Sequence, residues 1–335
     1  MDDELPEQKW LSVSVAAYNT EATIRETLSS FISDPDLLEQ MEIIVVNDGS
    51  TDATSSIAHE FEANYPGTVV VIDKPNGGYG STINASIQIA RGKYYRLVDG
   101  DDWIDADHLK EYLAFLSQSE ADMVVSPYYE VYKSRRLVDN HPEIPSEATD
   151  LNALKPDCLF FVMHEIAVRT DRLRDLGLQI SEHCFYTDTE YNVSAFLCAK
   201  TIARFNQPLY CYRLGVNGQS MSLAGIRKHY KDMINVSLKV SGMSQALQPS
   251  QAAGTKERII RNYVGHAVLY ATYGILAIQD RRQSKEELAQ YEKNLKADFP
   301  EAYRLSGQRK FLHIARVLRY RPFFLMRRYA AKKYV

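Results

Sequence analysis

Short runs of β-branched and other apolar residues alternate with amphipathic segments through the first hundred residues. Four runs are candidate strands: Leu11–Ala16, Glu42–Asn47, Val69–Asp73 and Tyr94–Val98. The intervening segments, which place apolar side chains on one helical face, are 22–32, 53–65 and 81–91. Parallel strands need a long crossover, usually a helix, between them. The alternation therefore predicts an α/β fold with a Rossmann-related, mostly parallel sheet flanked by helices.

The pattern changes towards the C-terminus. Residues 128–137 are predicted as one strand and residues 159–168 as a buried apolar segment. From about residue 225 helix-forming residues dominate, and they predict helices at 226–243, 256–280 and 284–296. We therefore divide the chain into an α/β domain over residues 1–225 and a helical region over residues 226–335.

Composition excludes several classes of protein. The chain has 335 residues and a formal net charge of -4, which gives no overall attraction to nucleic acid. Its first ten residues lack the basic start and apolar run of a secretory signal, and no stretch has the length and apolarity of a membrane-spanning helix. The four cysteines form no CxxC pair, and no HExxH segment is present, so neither zinc motif occurs. We expect a cytoplasmic protein with reduced thiols.

An acidic cluster follows the fourth candidate strand. Asp99, Asp101 and Asp102 occur within four residues, and close carboxylates repel one another by about 1 to 4 kcal/mol per pair. A divalent cation relieves this repulsion, since Mg²⁺ and Mn²⁺ favour carboxylates together with substrate phosphates. The cluster predicts a metal site. The alternative is an Asp-rich helix start in which Asp102 or Asp105 is the cap.

Two further polar loops follow the second and third strands. The first is Asn47–Asp52, and the carboxyl end of a parallel strand faces the crevice where such sheets bind ligands. We expect Asp48 to accept a hydrogen bond from a nucleobase, while Ser50 or Thr51 caps the next helix. The second is the glycine-rich loop 74–81, whose backbone can approach a ligand closely, although it lacks Walker or GxGxxG spacing.

These loops, in this order and with Ala17-Tyr18-Asn19 and Glu21 after the first strand, resemble the family 2 glycosyltransferases of the GT-A fold. The resemblance is close over roughly residues 1–105 and extends loosely to about residue 225. It implies an inverting transfer of a hexosyl or N-acetylhexosaminyl group from a UDP-sugar, assisted by Mn²⁺ or Mg²⁺. By analogy, the acceptor is a hydroxyl of a glycan or lipid-linked oligosaccharide in surface polysaccharide synthesis.

The resemblance also implies roles for individual residues. Asp101 would hold the metal on the diphosphate, whereas Asp102 would face the acceptor or stabilise the fold. Asp48 would bond the uracil ring. The residues implied in nucleotide-sugar binding are Ala17, Tyr18, Glu21, Asp48, Asn76, Gly77, Gly78, Asp99, Gly100, Arg213 and Ser220. Many relatives carry an Arg shortly after the Asn-Gly loop, where this chain has Ile83-Asn84, and Lys74 is a candidate to supply that charge.

The family places an acidic pair further along the chain as catalytic base, and Phe185–Tyr191 resembles that site. Asp188 takes the base position, Thr187 replaces the customary Glu, and Glu190 is the second candidate. An Asp has a reference pKa of about 3.9, so partial burial or neighbouring carboxylates should raise it for this task. The alternative is a helix start with Thr187 or Asp188 as N-cap.

The C-terminal tail differs electrostatically from the rest of the chain. Residues 304–335 contain ten Lys or Arg, interleaved with apolar and aromatic residues, and no acidic residue. This pattern predicts an amphipathic segment on an anionic membrane surface, with Pro322 kinking or ending a helix. One alternative is an ordinary helix that packs on the rest of the protein. Another is RNA binding, although the sequence has no RNP-type strand.

Two other functions stay open. A sugar-1-phosphate nucleotidyltransferase shares the nucleotide-binding architecture, but it needs a glycine- and arginine-rich loop where this chain has Ala17–Thr20. A UDP-binding, non-catalytic subunit of a glycosylation complex is favoured by Thr187.

Overall fold

The structure is a computed structural model that describes residues 9–155, 160–215, 222–245, 247 and 254–333. By packing, the chain forms two compact units. The first comprises the described parts of 1–183 and 194–215, and the second those of 184–193 and 216–335. The domain boundary at residue 225 stays a prediction.

The first unit contains two sheets. Their strands are β1 (Leu11–Ala17), β2 (Met41–Asn47), β3 (Val69–Asp73), β4 (Tyr94–Asp99), β5 (Trp103–Ile104), β6 (Met123–Val125), β7 (Tyr128–Val131), β8 (Arg135–Val138), β9 (Thr149–Asp150), β10 (Ile166–Arg169), β11 (Thr201–Arg204) and β12 (Tyr210–Arg213). The larger sheet has the order β3-β2-β1-β4-β10-β6-β11-β9 and the smaller β5-β12-β7-β8. Strands β1 to β4 are mutually parallel, whereas β10 runs antiparallel to β4 and β6. The predicted α/β class is confirmed, with a mixed sheet whose parallel half carries the predicted loops.

Helices flank the large sheet because their apolar faces match its apolar strands. They are α1 (Ile24–Phe31), α2 (Thr54–Asn64), α3 (Tyr79–Ile89), α4 (Leu109–Gln118) and α5 (Thr170–Asp175). Helix α6 (Asp188–Cys198) begins in the second unit and ends in the first. In α1 the buried residues include Ile24, Leu28 and Phe31, as predicted. Strand β2 is buried at every position, which fits a parallel strand covered on both faces.

The predicted single strand over residues 128–137 is wrong. Strands β7 and β8 pair antiparallel as a hairpin, with Val131 opposite Arg135. Strand β8 lies at the edge of the small sheet and its side chains are mostly exposed. Two short strands joined by a tight polar turn have the same local composition as one longer exposed strand, so the periodicity did not separate them.

The second unit is helical. Its elements after α6 are α7 (Leu223–Lys228), α8 (Tyr230–Ser244), α9 (Thr255–Ala277), α10 (Arg281–Asp298), α11 (Pro300–Ser306), α12 (Lys310–Val317) and α13 (Phe323–Ala331). Helix α9 is buried along most of its length, and α8, α11 and α13 pack against it. The predicted helix over 226–243 is interrupted at His229, between α7 and α8, whereas Pro322 directly precedes α13, as expected of a proline. None of the described helices combines the length and apolarity needed to cross a membrane.

Candidate active site

Three of the predicted loops meet at the carboxyl edge of the parallel strands. The register places Ala17 opposite Asn47, and Ala16 opposite Asp99. Asn19, in the left-handed region with φ 52°, links two loops: its backbone N–H donates to Ser50 Oγ at 3.0 Å, and its Oδ1 accepts from the Thr51 N–H at 2.9 Å. Sequence order alone therefore located this edge of the sheet correctly.

In the loop after β1, some residues are exposed to solvent and others are buried or hydrogen-bonded to neighbouring elements. The ring of Tyr18 is 52% exposed, whereas Ala17 is buried at the end of β1. The carboxylate of Glu21 accepts a hydrogen bond from the Ala53 N–H at 2.9 Å, at the start of α2, where a negative charge is favourable. Glu21 thus supports the helix start, and its contact with a nucleotide stays a prediction.

Asp48 is buried and binds the glycine-rich loop. Its carboxylate accepts hydrogen bonds from the Gly77 and Gly78 N–H groups, both at 2.8 Å, and forms an ion pair with Lys74 at 2.7 Å. The Asn76 amide donates to the Asp48 carbonyl at 2.9 Å. These bonds fix the loop against β2, a role that sequence reasoning missed. Direct bonding of Asp48 to uracil stays a prediction.

The ammonium of Lys74 is fully engaged within the protein. Besides Asp48, it donates to the Pro75 carbonyl and to Ser81 Oγ, each at 2.7 Å. An ammonium has three donors, and these three contacts use them. Lys74 therefore stabilises the loop, and the hypothesis that it supplies the charge of the missing Arg stays a prediction.

The acidic loop after β4 brings three carboxylates together. One oxygen each from Asp99, Asp101 and Asp102 lies within 4.8 Å of the others. Burial raises the pKa of Asp101, while the charge of Arg213 lowers it. A divalent cation such as Mg²⁺ or Mn²⁺ would supply the positive charge that lets these carboxylates ionise together. Both ions prefer oxygen ligands, and the carboxylates provide them.

Asp102 is held by the protein itself. Its carboxylate accepts from the Tyr210 hydroxyl at 2.6 Å and from the Arg213 N–H at 2.7 Å. The pKa of Asp102 is raised to about 7, chiefly by burial and further by the charge of Asp101, although the two hydrogen bonds and the charge of Arg213 lower it. These contacts support the fold-stabilising interpretation of Asp102. Asp101 stays the predicted cation ligand, and the predicted nucleotide-sugar contact of Asp99, in the same cluster, also stays a prediction.

Gly100 fixes the acidic loop against β1. Its N–H donates to the Ala16 carbonyl at 2.9 Å, and its carbonyl accepts from the hydroxyls of Thr23 at 2.9 Å and Thr27 at 3.1 Å. A Cβ at this position would lie 2.8 Å from the Ala16 oxygen. Only glycine permits this approach.

Arg213 makes its observed contacts with protein groups. Its guanidinium donates to the Asp101 carbonyl at 2.7 Å and to Glu26 at 2.6 Å, and it lies over the Trp103 ring at 4.5 Å. Arg213 thus connects β12 to the acidic loop, and its predicted phosphate contact stays a prediction. Ser220 lies outside the described residues. Sequence reasoning missed the support from Tyr210, although it had singled out the surrounding Tyr-Cys-Tyr-Arg segment.

Asp188 lies in the second unit, at the first position of α6. Asp188 is exposed. Loss of hydration raises the pKa of its carboxyl, and the charge of Glu190 adds to the rise. Two residues earlier, Tyr186 adopts a left-handed φ of 66°, a strained conformation that is most frequent at functional sites.

Glu190, the second candidate base, is fully buried and forms an ion pair with Lys239 at 2.9 Å. Thr187 is also buried, and its hydroxyl has no hydrogen-bond partner among the described residues. Of the three residues, Asp188 alone presents its side chain to solvent. This difference favours Asp188 as the group that an acceptor could reach.

Residues 12–177 match the model of glycosyl transferase family 2. The chain is 30% identical over 220 residues to the uncharacterized glycosyltransferase EpsJ of Bacillus subtilis, a match covering 62% of each chain. It is 27% identical to the poly(ribitol-phosphate) beta-N-acetylglucosaminyltransferase TarS of Staphylococcus aureus over 64% of this chain and 37% of TarS. The fold resembles that of S. aureus TarS 1-349 in complex with UDP-GlcNAc, with a TM-score of 0.70, 22% identity, and coverage of 97% of this chain and 91% of that one. Residues 12–177, which contain the loops after β1, β2, β3 and β4, are therefore a glycosyl transferase family 2 domain.

Proposed function

We propose that the protein transfers a hexosyl or N-acetylhexosaminyl group, with inversion, from a UDP-sugar to a hydroxyl of a glycan or lipid-linked acceptor in surface polysaccharide synthesis. The observation that carries this proposal is the cluster of Asp99, Asp101 and Asp102 after β4, at the same carboxyl edge of the sheet as the loops after β1 and β2. TarS, which shares the fold, acts on poly(ribitol-phosphate) by its name and was crystallised with UDP-GlcNAc. These facts support a UDP-sugar donor.

The first unit would bind the donor. Tyr18 is exposed and would offer a stacking surface for the base, and hydrogen bonds to Asp48 hold the glycine-rich loop in place. Asp99 and Asp101 would hold a divalent cation, which when bound neutralises charge on a diphosphate. Asp102, Tyr210 and Arg213 hold the acidic loop in place, so little reorganisation is needed when the donor binds.

Asp188 would act as general base. The acceptor oxygen forms the new bond to the anomeric carbon while the bond from that carbon to UDP breaks, and the acceptor proton passes to the Asp188 carboxylate. Attack opposite the leaving group inverts the anomeric centre. A raised pKa brings the carboxyl closer to the pH at which a general base is most effective.

A thermal-shift panel tests donor class and metal use together. We expect UDP-sugars to raise Tm in the presence of Mn²⁺ and to have little effect with EDTA, while GDP- and CDP-sugars have little effect in either case. A ligand at 100 times its Kd stabilises the native state by about 2.7 kcal/mol, which shifts Tm by a few degrees. Stabilisation by every nucleotide diphosphate alike, or by none, would contradict the proposal.

A non-catalytic, UDP-binding subunit is the second candidate, because Thr187, which is buried, occupies the position where the family resemblance implies an acidic residue. Release of free UDP in the presence of donor and acceptor separates the two functions. Release of pyrophosphate from UTP and a sugar phosphate would instead indicate a nucleotidyltransferase.

The tail of the second unit has an exposed apolar surface in addition to its packed face. Helices α12 and α13 bury Leu312 and Met326, among others. The tail patch, on the outer side, consists of Val317 (67% exposed), Leu318 (45%), Phe324 (59%) and Leu325 (64%). Arg319, Arg321 and Arg328 are exposed in the same segment. We propose that this patch binds the anionic inner face of the cell membrane, with apolar side chains entering the headgroup region.

Phe324→Ser combined with Leu325→Ser should weaken binding to phosphatidylglycerol vesicles by about tenfold or more, since each removes apolar area worth about 1 kcal/mol or more at the interface. Co-sedimentation measures this. Ile89→Ser, at an exposed apolar position on α3, is the matched control and should bind like the unaltered protein. Equal vesicle binding by the double variant and the control would contradict the tail proposal.

A further inference from the structure

The second unit contains an arginine-lined cleft that has no part in the proposed transfer. It has a volume of about 490 Å³ and is formed by α9, α11 and the residues that lead into α12. Its basic lining residues are Arg258, Arg261, Arg304 and Arg309, and Asn262 and Gln308 add polar groups. No carboxylate is among its described lining residues. The volume lies within the range of sites for small ligands.

The positive charge of this cleft is only partly neutralised. Glu301 pairs with Arg261 at 2.5 Å and with Arg304 at 2.7 Å, and Glu257 also pairs with Arg261. Arg258 and Arg309 have no carboxylate within ion-pair distance in the described part of the chain. Two carboxylates therefore face four guanidinium groups, which leaves a net positive cleft.

Arg309 shows the imbalance most clearly. Its guanidinium is about half buried, and this burial lowers its pKa. Its hydrogen bonds to described residues run from Nη2 to the carbonyl and side chain of Asn262, which are uncharged. A Cβ on Gly265 would lie 3.2 Å from Arg309 Nε, so a glycine there makes room for the guanidinium. A charge withdrawn from water without a counter-ion is unfavourable, and a bound anion would compensate it.

We propose that this cleft binds a phosphate oxyanion. The planar guanidinium presents paired N–H donors that match two phosphate oxygens, and several arginines around one cavity are typical of phosphate recognition. The phosphate can belong to a soluble acceptor or to a lipid headgroup, since both present the same oxygens. The inference does not depend on sugar transfer.

Isothermal titration with inorganic pyrophosphate tests the site, with EDTA present and ionic strength held constant with chloride. We expect saturable binding that Arg258→Gln combined with Arg309→Gln weakens at least tenfold. Arg282→Gln, at an exposed position on α10, should leave it unchanged. Unaltered Mn²⁺-dependent UDP affinity in the double variant would separate this cleft from the donor site.

A second titration, with monomeric dihexanoyl phosphatidylglycerol, identifies the source of the phosphate. The proposal is supported if either probe binds to the unaltered protein and this binding is lost in the double variant. Tighter binding of pyrophosphate indicates a soluble phosphate, and tighter binding of phosphatidylglycerol indicates a lipid headgroup. The proposal is overturned if neither probe binds, or if Arg282→Gln reduces binding as much as the cleft substitutions. Arg258→Gln alone, at an exposed position, should already weaken binding severalfold, which covers the case that the double variant does not fold.

Discussion

Asp101→Ala is expected to abolish Mn²⁺-dependent UDP binding and to reduce sugar transfer by about 1000-fold or more. The variant removes one of the three carboxylates that cluster after β4, and Asp102, another of them, is bonded to the Tyr210 hydroxyl and the Arg213 N–H. Loss of charge stabilisation at a leaving group typically costs factors of this size. Titration with UDP, with and without Mn²⁺, and a UDP-release assay measure the two effects.

Fold stability should respond in the opposite direction to activity. The charge of Asp101 raises the pKa of the buried Asp102, so its removal relieves repulsion, and we expect the Tm of Asp101→Ala to be unchanged or higher. Asp107→Ala, an exposed acidic residue on the following turn, is the control and should retain UDP binding and transfer. Unchanged Mn²⁺-dependent UDP affinity in Asp101→Ala would refute the metal assignment.

Asp188→Asn is expected to reduce transfer by about 100- to 10,000-fold while UDP affinity stays within about twofold. General-base catalysis contributes factors of this order, and an amide cannot accept the acceptor proton. Single-turnover measurements at saturating donor isolate the chemical step. Normal turnover in this variant would reject the base assignment. Absence of UDP release from the unaltered protein would instead favour the non-catalytic alternative.

The pH profile adds a second test of Asp188. A general base must be deprotonated, so kcat/KM should fall as pH decreases through the raised pKa of Asp188, and this limb should be absent from the residual activity of Asp188→Asn. Glu190→Gln serves as the comparison because the buried Glu190 carboxylate pairs with the partly exposed Lys239. It should lower Tm, which Asp188→Asn should not, since the substitution removes this ion pair and leaves a polar amide buried in its place.

The helical unit illustrates how far sequence patterns extend. The predicted helix over 256–280 corresponds to α9, and the basic tail forms helices on both sides of Pro322. The tail was predicted either to pack on the protein or to lie on a membrane surface, and the structure is compatible with both. Leu312 and Met326 are buried, whereas Phe324 and Leu325 are exposed. Periodicity identifies an apolar face of a helix. Where a segment has two apolar faces, the sequence does not show which of them the rest of the unit covers.

The sequence by itself determined the four parallel strands and, through their carboxyl ends, the edge where Asp48, Asp99 and Asp101 lie, because strand periodicity and crossover connections are local properties. The tertiary structure alone decided which charges are already satisfied. Asp48 is bonded to a loop about thirty positions away, and Asp102 to Arg213, which lies 111 positions away. Local sequence does not distinguish a carboxylate that binds a ligand from one that is held by the fold. The difference depends on partners that only folding brings within hydrogen-bond distance.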